Sequence, residues 1–208
     1  MLLLQNVRKY YDRREILSIA SLTLENDIYV VKGENGSGKS TLLKMIAGLI
    51  PFQGEIRIDG VDLKAAPVAY RGAVGWSAAE PLFPDFLTGK EIIAFYNGLR
   101  RKNGSGHNEL IELLHMTEFI DQKTGTYSSG MLKKLSLILA FTAQPKLLVL
   151  DEPFITLDDH AIDQVNRLII RMHEDQKSFV LMSTHQGTVG LPSFRKLRIH
   201  DHQISTES

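Results

Sequence analysis

The sequence has no cysteine. That excludes a disulfide framework, an iron–sulfur cluster and a thiolate zinc site, and it suits a reducing compartment. It also has no net charge, with 24 basic residues against 24 acidic ones. A balanced chain offers no overall electrostatic attraction for nucleic acid or an anionic membrane, and no nucleic-acid partner is expected. The basic pairs and triplets at 13–14 and 100–102 read as solvated faces. Long hydrophobic runs are absent too. The opening apolar run at 2–4 is far shorter than the about 7–15 residues of a signal-peptide core. The longest apolar stretch, 135–143, is halted by Gln144 and Pro145, well short of the roughly 20 residues that span a bilayer. The chain is therefore expected not to cross a membrane by itself.

What is there is the composition of an ordinary globular domain: 208 residues, 43% hydrophobic, 23% charged. A chain of this length can bury a core of its own, so disordered and collagen-like classes are excluded. Residues 2–7 and 21–25 read as strands, then a turn at Asn26-Asp27 and a β-rich run at 28–31. A glycine-rich loop follows at 33–38. Leu42, Leu43, Ile46 and Leu49 recur at helical spacing, predicting a helix from Lys39 to about Leu49. Alternation returns at 55–58 and turns at Asp59-Gly60. From about 81 to 122 two helices are expected, near 89–100 and 108–116, separated by a linker at 103–106. After Gly130, Leu135, Ile138, Leu139 and Thr142 mark another amphipathic helix. Leu147 to Leu150 is an unbroken apolar run of the kind buried on both faces of a parallel sheet. A helix near 162–173, a buried strand at Phe179–Ser183 and a strand pair within 195–204 complete the pattern. This is an α/β arrangement with a helical insertion.

Two motifs carry chemistry. Gly33-Glu34-Asn35-Gly36-Ser37-Gly38-Lys39-Ser40, with Thr41 behind it, fits G-x-x-x-x-G-K-[ST] between a strand and a helix. Glycines let successive backbone N–H groups converge on phosphate oxygens, and the helix start adds its positive dipole end. Lys39 suits the β- and γ-phosphates and the Ser40 hydroxyl suits Mg²⁺. The second motif is the apolar run ending in Asp151-Glu152-Pro153. Asp151 at the strand tip is placed to hold the metal, and Glu152 to orient or deprotonate an attacking water.

With these two motifs in place, the chain resembles the nucleotide-binding domain of the ATP-binding cassette (ABC) family from Leu2 to Ile204. Tyr127-Ser128-Ser129-Gly130-Met131 is similar to the family signature Leu-Ser-Gly-Gly-Gln. Ser128 and Gly130 match it, whereas Tyr127, Ser129 and Met131 depart. Leu157-Asp158 resembles the D-loop, Ser183-Thr184-His185 the segment of the switch histidine, and Lys9-Tyr10-Tyr11-Asp12 the loop whose ring stacks on adenine, with Tyr11 first by register and Tyr10 second. The resemblance implies a P-loop NTPase core with a mixed sheet flanked by helices, an N-terminal antiparallel β subdomain and a helical subdomain. The core would occupy about 1–80 and 136–208, and the helical subdomain about 81–135. It implies ATP and Mg²⁺ as ligands, His185 against the γ-phosphate, and Ser128, Gly130 and Asp158 acting at the seam of a head-to-tail pair. That pair would be a homodimer or would include a second ATP-binding subunit. It also implies a membrane-spanning permease as partner and a cytoplasmic place on the inner face of the membrane.

One segment departs from the family. Gly75 to Thr88 resembles the Q-loop region, and Ala79 stands where the family has a glutamine that contacts metal or water. Alanine has no side-chain group for that, so hydrolysis or its coupling is expected to be weak or rewired. Two alternatives to a transport ATPase follow: a nucleotide-gated binding cassette with weak turnover, and a soluble cassette ATPase without a transport role. The short length, Asp151-Glu152-Pro153-Phe154 and Thr184-His185-Gln186 resemble small exporter-type members, including the haem-exporter kind. His200 and His202 have a metal-compatible spacing but read as solvated, and Met45, Met172 and Met182 read as core.

Overall fold

The computed structural model describes residues 1–100, 106–185, 190–191 and 193–207. Residues 101–105 of the basic triplet and linker, and Gln186, lie outside them. Among the described residues the strands form two sheets. Strands β1 (Leu2–Tyr11), β2 (Arg14–Leu24), β4 (Gln53–Ile58) and β5 (Val61–Asp62) make an antiparallel sheet in the order β2-β1-β4-β5. The second sheet contains β3 (Ile28–Lys32), β6 (Val74–Ser77), β7 (Leu147–Asp151), β8 (Phe179–Ser183), β9 (Arg195–His200) and β10 (Gln203–Glu207), in the order β10-β9-β3-β8-β7-β6. From β6 to β9 its neighbours are parallel, and β10 turns back antiparallel at the edge. The mixed sheet flanked by helices matches the fold class expected from the sequence.

Every residue of β7 and of β8 is buried. Successive side chains of a strand point to opposite faces, and the packing follows that parity. Ile28, Val30, Leu148, Leu150, Val180 and Met182 pack with Ile93, Leu110, Leu137, Ile138 and Val165, which belong to helices α3 (Gly89–Arg100), α4 (His107–Leu113), α5 (Ser129–Thr142) and α6 (Asp159–Glu174). Tyr29, Val31, Leu147, Val149, Phe179 and Leu181 pack on the other side with Leu42 and Leu43 of α1 (Lys39–Ile46) and with Leu4 and Ile56 of the antiparallel sheet. Each such side chain contributes about 1.5–3 kcal/mol through burial. Met45, Met172 and Met182 are all core residues.

Capping chemistry sets the helix ends. Thr88 and Glu91 form a reciprocal box at the start of α3: the Thr88 N–H donates to Glu91 Oε2 at 2.8 Å, and the Glu91 N–H to Thr88 Oγ1 at 3.1 Å. The Ser128 and Asp158 side chains accept the Met131 and Ala161 N–H groups at the starts of α5 and α6. Helix α1 ends at Ile46, earlier than the periodicity suggests. The N–H groups of Gly48 and Leu49 fold back onto the Met45 and Lys44 carbonyls, which is a Schellman closure. Two more differences concern extent. Strand β2 begins at Arg14, where the sequence pointed only to 21–25, because Tyr11 pairs with Arg14 across a tight turn. Helix α2 (Pro67–Gly72) and strand β6 were not anticipated. Among the described residues no helix is long and apolar enough to cross a membrane.

Candidate nucleotide site

The parallel strands run in one direction, so their C-terminal ends share one edge, where α/β sheets bind ligands. Strand β3 delivers the loop 33–38 there, β7 delivers Asp151 and Glu152, β8 delivers Ser183 to His185, and β6 delivers Ala78 and Ala79.

In the loop, a Cβ on Gly33 would lie 2.6 Å from Ser37 Oγ and 2.9 Å from the Ile199 carbonyl, so the chain closes on itself only with glycine there. Gly38 (φ 102°) turns the backbone into α1 and offers no side-chain cap, and the first turn of α1 has no acidic residue. The helix start thus keeps N–H groups and its positive end for an anion. The Ser37 N–H turns back to the Glu34 carbonyl at 3.2 Å, while the buried Ser37 Oγ has no hydrogen-bond partner among the described residues. Lys39 arches over the loop and donates to the Gly33 and Glu34 carbonyls at 2.8 and 2.9 Å. Burial pulls the Lys39 pKa down, opposed by the nearby Glu152 and Asp151 carboxylates. Lys32, whose Nζ donates to the Thr184 carbonyl at 2.9 Å, is pulled down by burial in the same way. A cleft of about 270 Å³ opens beside the loop, between Glu34 to Ser37, the start of β2 at Arg14 and Ile16, and the turn from β9 to β10. A larger cleft, about 530 Å³, lies at the opposite strand ends by Leu147 and Phe179 and contains none of the motif residues.

Asp151 meets Ser40 across the sheet edge. The Ser40 hydroxyl donates to Asp151 Oδ1 at 3.1 Å and the Ser183 hydroxyl to the same oxygen at 2.7 Å. A carboxylate beside a hydroxyl is a donor set of hard oxygens, which suits Mg²⁺. Glu152 stands at φ 47°, a left-handed conformation unusual outside glycine. Its N–H donates to Ser183 Oγ at 3.0 Å, and its Oε2 accepts the His185 N–H at 3.1 Å. Its buried Oε1 makes no hydrogen bond among the described residues, with His185 Nε2 at 3.4 Å. That oxygen keeps its acceptor capacity beside the His185 ring.

Sequence reasoning missed two residues of this cluster. Ser183 enters the sequence reading as the end of a strand and the start of the switch-histidine segment, with no role of its own, yet it binds both motif acids. Lys133 in α5 is 1% exposed and donates to the carbonyls of Ala78 at 2.5 Å, Glu152 at 3.1 Å and Asp151 at 3.4 Å. Burial brings its pKa down to about 8 against the opposing pull of Asp151, Glu152 and Glu80. No local signal marks it, because a lysine in an amphipathic helix normally lies in water.

The remaining sequence candidates are spread around this edge. Thr41 is half-buried in α1, and Asn35 and Gly36 are exposed at the tip of the loop. Ser128 caps α5, and a Cβ on Gly130 would come within 2.7 Å of the Thr156 carbonyl. Asp158 caps α6 and lies 3.8 Å from Lys134, and the Ala161 N–H holds its carboxyl below the usual range. The Tyr11 ring is exposed at the end of β1 with Lys9 Nζ 4.7 Å from its centre, whereas the Tyr10 hydroxyl is committed to Glu15 at 2.7 Å. His202 Nδ1 lies 3.1 Å from the Ile16 carbonyl, and among the described residues no group of three acidic or histidine side chains is arranged for a metal.

A family model described as ABC transporter matches residues 17–155, which include the phosphate loop, the segment 127–131 and the acids at the tip of β7. The chain belongs to the ABC transporter family. Within it, this cassette is 34% identical to the putrescine transport ATP-binding protein PotG of Escherichia coli (strain K12), over 89% of this chain and 50% of that one. It is 35% identical to the ABC-type transporter ATP-binding protein EcsA of Bacillus subtilis (strain 168), over 84% and 73%. The chain thus spans half the length of the first relative and about three quarters of the second. The cytochrome c biogenesis ATP-binding export protein CcmA of Pseudomonas syringae pv. syringae (strain B728a) is 28% identical, over 80% and 79%. Among solved structures, a cassette described as a dimeric post-hydrolysis state bound to ADP and Pi shares the fold, with a TM-score of 0.88 and 22% identity over 100% of this chain and 98% of that one.

Proposed function

We propose that the chain is the ATP-hydrolysing subunit of a transporter, working in a pair and driving a separate membrane-spanning permease from the cytoplasmic face. The observation that carries this reading is the meeting, at one sheet edge, of the Lys39 loop, the Ser40–Asp151 contact and a Glu152 oxygen without a hydrogen-bond partner. The triphosphate tail of ATP lies along the N–H groups of 36–40, and Lys39 exchanges its carbonyl partners for β- and γ-phosphate oxygens. Ser40 and Asp151 hold Mg²⁺, which supplies neutralisation of phosphate charge when bound. Glu152 accepts a proton from water as the water oxygen bonds to the γ-phosphorus. The bond from that phosphorus to the bridging oxygen breaks, and ADP leaves with the electron pair. His185 stands beside Glu152 for the γ-phosphate, and the exposed Tyr11 ring serves the adenine.

Ser128 supports the pairing. Its oxygen accepts the Met131 N–H, which leaves the hydroxyl hydrogen to donate to a phosphate presented by a second cassette. Gly130, whose Cβ position is 3.9 Å from Ser128 Oγ, and Asp158 at the start of α6 would act on the same seam. Exposed Leu82, Phe86 and Phe95, on the loop after β6 and on α3, give the permease an apolar footing. The likeness to the cytochrome c biogenesis export protein supports the small exporter-type reading.

The test is phosphate release with Mg·ATP. Glu152→Gln is expected to lower it roughly 100-fold or more and to accumulate an ATP-bound dimer, seen by light scattering. Lys39→Ala is expected to remove the calorimetric binding signal. A Gln variant with normal turnover refutes the role of Glu152. Ala79 favours a second reading, a nucleotide-gated cassette with little turnover. Background-level release from the wild type that a permease does not restore selects that reading.

A further inference from the structure

Lys133 is a charged side chain where its neighbours on α5, Leu135, Leu137 and Ile138, are apolar and fully buried. An ammonium taken out of water is tolerated only when its N–H groups are hydrogen-bonded, and a packed apolar residue usually serves stability as well or better. Here all three donors are used, and they converge on backbone carbonyls from two segments. One is Ala78, at the exit of β6 where the chain leaves for α3. The others are Asp151 and Glu152, whose side chains are assigned to metal and water. Glu152 is also the residue in the left-handed conformation, which persists only when its surroundings hold it. Ser183 grips its N–H and Lys133 its carbonyl, so the strained peptide is clamped from both sides. Next to Ala78, Ala79 contributes only a methyl group, and the lysine supplies the polar link between this loop and the acids.

We propose that Lys133 is a positioning residue for hydrolysis, an internal strut that ties the loop after β6 to the tip of β7 and so aims the Glu152 carboxylate. The inference rests on the hydrolytic reading above. Movement of the loop toward α3 then reaches the acids through the backbone that the ammonium holds, without a side chain at position 79.

The test uses the full chain with Lys133→Met, which keeps the stem and removes the donors, and Lys133→Gln, which returns a shorter donor. ATP affinity is read by calorimetry and turnover by phosphate release. The Met variant is expected to lose roughly 10- to 100-fold in kcat, with KM and Kd for ATP within about threefold of wild type. The Gln variant is expected to recover part of the loss. An unchanged kcat in a folded Met variant overturns the proposal, and so does a loss that appears wholly in KM and Kd. Should the Met variant fail to fold, the Gln variant decides: reduced kcat with retained affinity supports the strut, and wild-type kcat overturns it. A wild type that binds ATP and releases no phosphate even with a permease added overturns the hydrolytic reading and the strut together, whereas normal wild-type turnover unaffected by Lys133→Met overturns the strut alone.

Discussion

Ser183→Ala removes one oxygen from the centre of the acid cluster, and the structure allows its cost to be worked out. The hydroxyl has no exposure, donates to Asp151 Oδ1 at 2.7 Å and accepts the Glu152 N–H at 3.0 Å. Losing a hydrogen bond to a charged group costs about 1.5–3 kcal/mol, and a buried N–H left without an acceptor about 1–3 kcal/mol. The two share one atom and do not simply add, so a loss of about 2–4 kcal/mol is expected. In a domain of this size each kcal/mol lowers Tm by about 2–4 °C, giving a fall of roughly 5–15 °C. Equilibrium urea unfolding of the variant should show a lower midpoint with an unchanged slope, since the exposed surface is the same. Phosphate release should fall as well, because Glu152 loses the grip on its N–H. A variant that melts within about 1 °C of wild type would refute the reasoning.

Two further outcomes concern the helix starts. Gly130→Ala places a methyl group against the Thr156 carbonyl and is expected to cost about 1–3 kcal/mol in urea unfolding; an unchanged midpoint would show that the approach is not tight. The Thr88 N–H and hydroxyl hold the Glu91 carboxyl below its ordinary 4.5, so the box contributes stability above that pH and loses it as pH falls through the lower, folded value. The advantage of wild type over Glu91→Gln should therefore hold near neutrality and shrink below pH 4.5, and a constant difference across that range would contradict the assignment.

The phosphate loop and the Asp151-Glu152 pair were legible because their chemistry is local: spacing, glycine and a preceding apolar strand state it within a few residues. The helix near 89–100 and the apolar run at Phe179–Ser183 were legible too, and the structure has them as Gly89–Arg100 and Phe179–Ser183. Strand β6 was not. It has four residues, one of them Gly75, whose place is set by the Ala140 carbonyl of α5, 2.5 Å from where a Cβ would stand. The charged start of β2 hid its pairing with β1 for a similar reason, since the partner and not the composition makes it a strand. Lys133 was the least legible. Its environment is assembled from residues 18, 19 and 55 positions away in the chain, and no window around it contains them.

The alternation along β3, β7 and β8 has a last consequence. One ribbon lines two compartments, as a party wall serves two rooms, and a substitution's address follows from parity: Leu148 and Val149 are adjacent in the chain, yet a methyl group trimmed from each is felt in different rooms. Neither compartment keeps its lining once the wall is breached, so heat should empty both in a single melting event.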